Sequence, residues 1–297
     1  MSQMKKIKFS KKFKQNIIIK IVGFIIITAG MIALNYPYLT GVINDYFAYR
    51  QVDEYQEQIE SIPDDTLNLQ LDTARLYNAS LVNAGFGDFT DFELIQEGAF
   101  LGYVEIPQIN VYLSLRYSVS DIVLKNGLGL LEGTSLPVGG ESTHSVISGH
   151  TGMASKKVLT DLTQLQLGDI FFIHSLGQDL AYKVDQIVVV DPWDSEELKI
   201  IPNEDHCTLL TCTPYGINDH RLLVRGIRTE YDFSSPVVEE KIEVRVSEVE
   251  RTRRIIAICS LILYIVIVCY LVVSLIIDIR HENKRRKKKA NENIQNE

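Results

Sequence analysis

Two long apolar runs frame the chain, and short alternating segments fill the stretch between them. Ile21 to Leu34 is almost wholly apolar, and residues 21–44 carry no formal charge. Residues 255–277, IIAICSLILYIVIVCYLVVSLII, are uncharged too. A helix of about 20 apolar residues crosses a bilayer core, so each run predicts a transmembrane helix. Asn35 and Pro37 interrupt the outer end of the first. A signal peptide is the competing reading there. The run is long for one, however, and no small-x-small cleavage site follows Leu34, so a retained anchor is expected.

Between the runs, residues 45–83 read as helical. Glu54, Gln58, Leu67, Leu71, Ala74, Leu76 and Tyr77 recur at helix-like spacing, and Pro63 breaks the pattern. The period fails from residue 84 to 97, where Gly85, Gly87, Asp88, Thr90 and Asp91 suggest a loop. Short apolar strands follow, at 102–106, 111–116, 145–148, 170–174, 180–190, 207–213 and 221–229. Turn signals separate them, among them Pro107, Gly139-Gly140, Pro192 and Pro214-Tyr215-Gly216. Short helices are expected at 119–126 and 158–165. Seven or eight short strands in about 130 residues predict a closed or nearly closed β-barrel or a sandwich.

Charge is segregated along the 297 residues. Seven Lys and no acidic residue precede residue 45, and seven Lys/Arg with one Glu occupy 280–289. The middle, 45–254, holds 34 of the 38 acidic residues and has a net charge of −18. An acidic centre argues against nucleic acid as a partner, since phosphate backbones need a basic footprint. Basic flanks mark the cytoplasmic side of a span, so both termini are expected inside and 45–254 outside. Arg251, Arg253 and Arg254 oppose this locally, but the cluster after residue 279 outweighs them.

Cys259 and Cys269 fall in the second apolar run, leaving Cys207 and Cys212 outside. On one extended strand those two lie about 16 Å apart, beyond the reach of a disulfide. An odd offset also turns them to opposite faces. Cys212 ends an apolar strand before a Pro-Gly turn, near a sheet rim. Cysteine is an effective nucleophile only as thiolate, and a buried small residue is the plainer reading of it. His150, in SGHTG, is flanked by small residues at a strand end, with room to present its ring to a cleft. His144, His174, His206 and His220 lie at strand edges or turns, where a solvated or satisfied ring is usual. Acyl transfer also needs a group that stabilises an oxyanion. Arg221 and Arg225 share one strand face, and a hairpin from Cys212 would set one of them beside the thiol. Periodicity does not choose between them. No cluster of metal ligands stands out.

The segments SGHTG, TLLTCTPYG and HRLLVRG, in this order, resemble a sortase, and most closely the class C, pilus-building branch. The resemblance covers roughly residues 65–275. It implies an eight-stranded β-barrel with short helices, an N-terminal helical segment and two transmembrane helices. It assigns the nucleophile to Cys212, the histidine to His150 and the arginine to Arg221, with Thr211 helping to shape the sorting-signal groove. The implied reaction cleaves an LPxTG-like signal between Thr and Gly through a thioacyl-enzyme, without metal or organic cofactor, and joins the Thr carbonyl to a pilin lysine. Attachment of surface proteins to peptidoglycan is the alternative, and an inactive adaptor is the remaining one. The expected partners are LPxTG-bearing surface proteins or pilins, and the expected location is the cell membrane of a Gram-positive bacterium.

Class C enzymes usually carry a lid with an Asp-Pro-aromatic motif. The corresponding stretch here, AGFGDFTDFELIQEG, lacks the proline, so Asp88, Phe89, Asp91 and Phe92 are the candidate lid residues. Asp191-Pro192-Trp193 has the motif's form but lies among the strands, as a turn bordering the groove. The expected organisation is a cytoplasmic N-terminus (1–20), a span (21–44), a helical segment (45–83), the lid loop (84–98), the barrel (99–232), a linker (233–254), a second span (255–277) and a cytoplasmic tail (278–297).

Overall fold

The first apolar run continues unbroken into the helix that follows it, and Pro37 lies inside that helix, α1 (Lys11–Ser61). Pro63 ends the run. Its carbonyl accepts the N–H groups of Thr66 and Leu67 and so opens α2 (Asp64–Val82). Asp64 and Asp65 in the first turn complement the positive end of the helix dipole. The computed structural model describes residues 11–82, 92–152, 156–233 and 244–295. Asp88, Phe89 and Asp91 of the expected lid lie outside the described residues. Phe92 is described and packs against the barrel core, and Glu93–Ile95 form a 3-10 turn where only loop was expected.

The chain divides into two units. One holds the N-terminal part through Leu39 and the part from Arg251 onward. In it α1 and α4 (Glu248–Gln295) are long and apolar enough to cross a membrane. Polar side chains join them: Lys20 with Ser274 and Asp278, Thr28 with Tyr264, and Asn35 with Ser260. Partner numbers fall on α4 as they rise on α1, so the two helices run antiparallel.

The other unit, Thr40–Glu250, contains the barrel. Its strands are β1 (Phe100–Ile106), β2 (Val111–Tyr117), β3 (Leu128–Leu130), β4 (Thr143–Ser148), β5 (Ile170–Ser175), β6 (Gln178–Val190), β7 (Asp205–Thr213) and β8 (His220–Thr229). They close in the order β1-β2-β3-β4-β7-β8-β6-β5, so the sandwich alternative falls away. The β2–β3 and β4–β7 pairs are parallel and the others antiparallel. Closure brings β1 so close to β5 that a β-carbon on Gly102 would meet the His174 carbonyl oxygen.

Seven strands fall where alternation predicted them. β3 was not among them, because three buried residues, Leu-Gly-Leu, offer no alternation to read. The helix expected at 119–126 is the short α3 (Asp121–Leu124), and that at 158–165 is a 3-10 turn, Leu162–Gln164. The buried stripe of α2 is Leu71, Ala74, Tyr77 and Asn78, and Leu76 is exposed. On α1 it is Val52 and Tyr55 that pack on the barrel, whereas Glu54 and Gln58 face solvent. Tyr55 donates to the Leu101 carbonyl and accepts the Leu176 N–H, which ties α1 to β1 and β5.

Candidate active site

Alternation splits β7 into two faces. Cys207 and Leu209 join the core, and so do Leu222 and Val224 of β8. Thr208, Leu210 and Cys212 therefore point out of the barrel, with Arg221, Leu223 and Arg225 beside them. The two thiols part accordingly. Cys207 is fully buried, and burial holds its pKa well above the usual thiol range, so it stays a protonated core side chain. Cys212 is half-buried.

Strand register lines up the candidate residues. β4 and β7 pair in parallel from Thr143 with Asp205 to Ser148 with Leu210, and the Gly149 N–H extends the ladder to the Leu210 carbonyl at 3.0 Å. The same offset sets His150 level with Cys212. On the other side of β7, Arg221 of β8 stands directly opposite Cys212, and Val190 of β6 stands opposite Arg221. Cross-strand partners have β-carbons about 5 Å apart. Carried two residues past the last paired position, the β4–β7 offset brings residue 150 to the level of Cys212 and Arg221, at neighbouring strand ends. Register sets Arg221 opposite Cys212 and Arg225 opposite Thr208. Arg225 sits four residues down the strand and is held by Asp185, through Nη2–Oδ2 at 2.6 Å.

Further contacts keep these strand ends in place. Thr211 is buried, and its hydroxyl donates to the Gly149 carbonyl at 2.7 Å, fastening the strand before Cys212 to the residue before His150. Gly149 has no room for a side chain, since a β-carbon would lie 2.6–2.8 Å from Leu128 and Leu159. Gly152 has a φ of +73°, and the Tyr215 ring, three residues after Cys212, lies against it. Two pairs of small contacts therefore join the His150 loop to the chain around Cys212. Arg221 is oriented by its own turn, with Nη1 donating to the Asn218 and His220 carbonyls. A guanidinium carries five donors, and these two carbonyls engage only those on Nη1.

The outward face below Cys212 is roofed. Val146, Thr208 and Leu223 are at most 2% exposed although they point away from the core. The cover is the connection from β6 to β7. His144 meets the Lys199 carbonyl through Nδ1 at 2.9 Å and Thr208 Oγ1 through Nε2 at 2.7 Å, and Gln186 donates to Glu197 at 2.8 Å. Asp191 begins this connection, 3.6 Å from His220, and Trp193 in it is 94% exposed. The sequence pointed to that turn but not to the histidines beneath it. His144 and His206, expected at strand edges or turns, are 1% exposed with their rings 5.6 Å apart. A buried histidine on an outward strand face carries no signal in alternation, because the roof comes from a distant loop.

Burial lowers the pKa of both His144 and His206. His174 shifts the other way. Burial opposes its charge, but Glu105 and Asp179 outweigh that and raise its pKa. The signs follow from linkage. As pH falls below the ordinary imidazole value of 6.5, unfolded chains take up protons that folded His144 and His206 resist, so these two weaken the fold in acid. His174 contributes stability in acid that is lost as pH rises through its folded pKa. We expect the melting temperature gained between about pH 5.5 and about pH 7.5 to shrink by a few degrees in His206→Gln and to grow in His174→Gln. Thermal melts of the three proteins at both pH values provide the measurement.

The sortase domain family matches residues 104–229, which span β1 to β8. Among solved structures, sortase C of Clostridium perfringens with the C-terminal cell wall sorting motif is 49% identical, with a TM-score of 0.59. The match covers 62% of this chain and all of that one. The chain belongs to the sortase family. Sortase C of Streptococcus pneumoniae is 43% identical over 61% of this chain and 97% of its own, with a TM-score of 0.56. Sortase C1 of GBS Pilus Island 1 is 40% identical over 67% of this chain and all of its own, with a TM-score of 0.60. A comparison with curated proteins found no match. The sortase is of class C, and it is a cysteine transpeptidase.

Proposed function

We propose that this sortase cleaves an LPxTG-like sorting signal between Thr and Gly with Cys212 and joins the Thr carbonyl to a lysine of a second pilin. The observation that supports the proposal is the pairing of Cys212 with Arg221 at the β7 and β8 ends, with the His150 loop tied alongside through Gly149 and Thr211. The Cys212 thiolate adds to the Thr carbonyl carbon. Arg221, directly across the ladder, donates to the oxyanion that forms. The C–N bond then breaks, and His150 gives its proton to the departing glycine amine. The thioester keeps the acyl group activated until the acceptor arrives. The lysine amine adds to the same carbonyl carbon and loses a proton to His150, and the C–S bond breaks to leave an isopeptide. The basic flanks of the two apolar helices support a topology with both termini in the cytoplasm and the barrel outside, at the membrane of a Gram-positive cell.

The acceptor separates this reading from attachment to peptidoglycan. The full chain in nanodiscs is given a sorting-signal peptide and either a folded pilin domain or a short glycine amine. Conjugate with the pilin domain, linked through a lysine in mass spectrometry, is the expected product. Product with the glycine amine alone would redirect the assignment to cell-wall attachment.

A further inference from the structure

His150 lies in a loop that the chain closes a few residues later, and the closing segment is braced from outside the barrel. Leu159 donates its N–H to the His150 carbonyl at 3.1 Å, and Gly152 donates to Thr160 Oγ1 at 3.2 Å. The next residue, Asp161, has a carboxylate with no exposure at all. Lys157 lies 2.7 Å from it and also donates to the Ile109 carbonyl at 2.8 Å. The other partner of Asp161 comes from the far end of the unit, where the Ser247 N–H donates to Oδ1 at 3.1 Å. Two residues earlier, Arg245 makes three contacts. Its N–H donates to the Gln108 carbonyl at 2.7 Å, and its guanidinium donates to the Gln164 carbonyl at 2.8 Å and pairs with Asp169. Gln164 ends the 3-10 turn that follows Asp161.

A buried carboxylate that loses a partner is costly, so these contacts tie the segments together firmly. They join three stretches: the turn between β1 and β2, the segment from Lys157 to Asp169, and residues 245–247. None of the barrel strands needs the third stretch for its own hydrogen bonds. What it does touch is the segment that holds the His150 carbonyl. It is also the chain's lead into α4, which starts at Glu248.

We propose that Arg245 and Ser247 are positioning residues for His150, so that the lead into the C-terminal membrane helix acts as a strut of the catalytic loop. This rests on the reading of His150 as the proton donor. The strut acts on geometry alone and touches neither substrate nor thiol. Misplacing a catalytic group by about 1 Å can cost on the order of 100-fold in rate, so losing one brace is expected to cost about tenfold.

The test uses the full chain in nanodiscs and a fluorogenic sorting-signal peptide. Arg245→Ala removes the guanidinium contacts, and Ser247→Pro removes the N–H that Asp161 accepts. Both are expected to lower kcat about tenfold with KM within about twofold. Arg245→Lys keeps the charge and recovers part of the rate. Melting temperatures fall by several degrees, because buried carboxylates lose partners, but both variants stay folded at the assay temperature. Unchanged kcat in both variants overturns the proposal. So does a parallel fall of kcat, rise of KM and collapse of the melting temperature, which marks the segment as a plain stabiliser. His150→Ala run alongside keeps the two readings apart. If it cleaves peptide as the parent does, the assignment of His150 fails, and the strut fails with it.

Discussion

Cys212→Ala loses peptide cleavage and transfer together, by about four orders of magnitude or more, the scale seen when a covalent nucleophile is removed. Cys212→Ser is as inactive, because a hydroxyl does not ionise near neutral pH as a thiol can. In the parent enzyme without acceptor, intact-mass spectrometry is expected to find the signal up to its Thr added to Cys212. Cys207 is the internal control. It lies five residues away on the same strand, fully buried among core side chains. Cys207→Ala keeps its turnover and loses about 1 kcal/mol of stability through the small void it leaves. An adduct on Cys212→Ala, or turnover in it, would show that the nucleophile lies elsewhere.

The separation of the two thiols was legible before any coordinates, because an odd offset on a strand turns side chains to opposite faces. The strand positions were legible for the same reason, since alternation is local. What pairing decides was less so. Arg221 and Arg225 have the same strand parity, and only the register of β7 with β8 sets Arg221 opposite Cys212. Resemblance had already favoured Arg221, and the ladder supplies a physical reason for it. Helical spacing marked residues 45–83 as helix without saying which face packs: Glu54 and Gln58 face solvent, and the packed residues of α1 are Val52 and Tyr55. The roof over Thr208 and the strut at Ser247 depend on contacts between residues 55 and 86 positions apart along the chain. No window of the sequence contains both partners.

Arg221 and Arg225 then give a prediction whose two arms point in opposite directions. Arg221 faces Cys212 from the neighbouring strand, and its Nη1 is steadied by two turn carbonyls. Arg221→Ala is expected to lower kcat/KM about 100- to 1,000-fold, as loss of an oxyanion donor does. Arg221→Lys recovers little of it. An ammonium on a flexible stem does not reproduce a planar fork that binds substrate and oxyanion together. Neither change disturbs a core contact, so melting temperatures stay close to the parent's. Arg225 behaves inversely. It holds Asp185 with Nε and Nη2, and the two side chains are 18% and 26% exposed. Arg225→Ala leaves that carboxylate without its cation beside the buried His144 and His206. It is expected to cost about 1–3 kcal/mol of stability, with kcat retained at temperatures where the protein stays folded. Steady-state kinetics and melts of both alanine variants decide the matter. If Arg225→Ala carried the kinetic loss and Arg221→Ala the thermal one, the proposed role of Arg221 as oxyanion donor would be overturned.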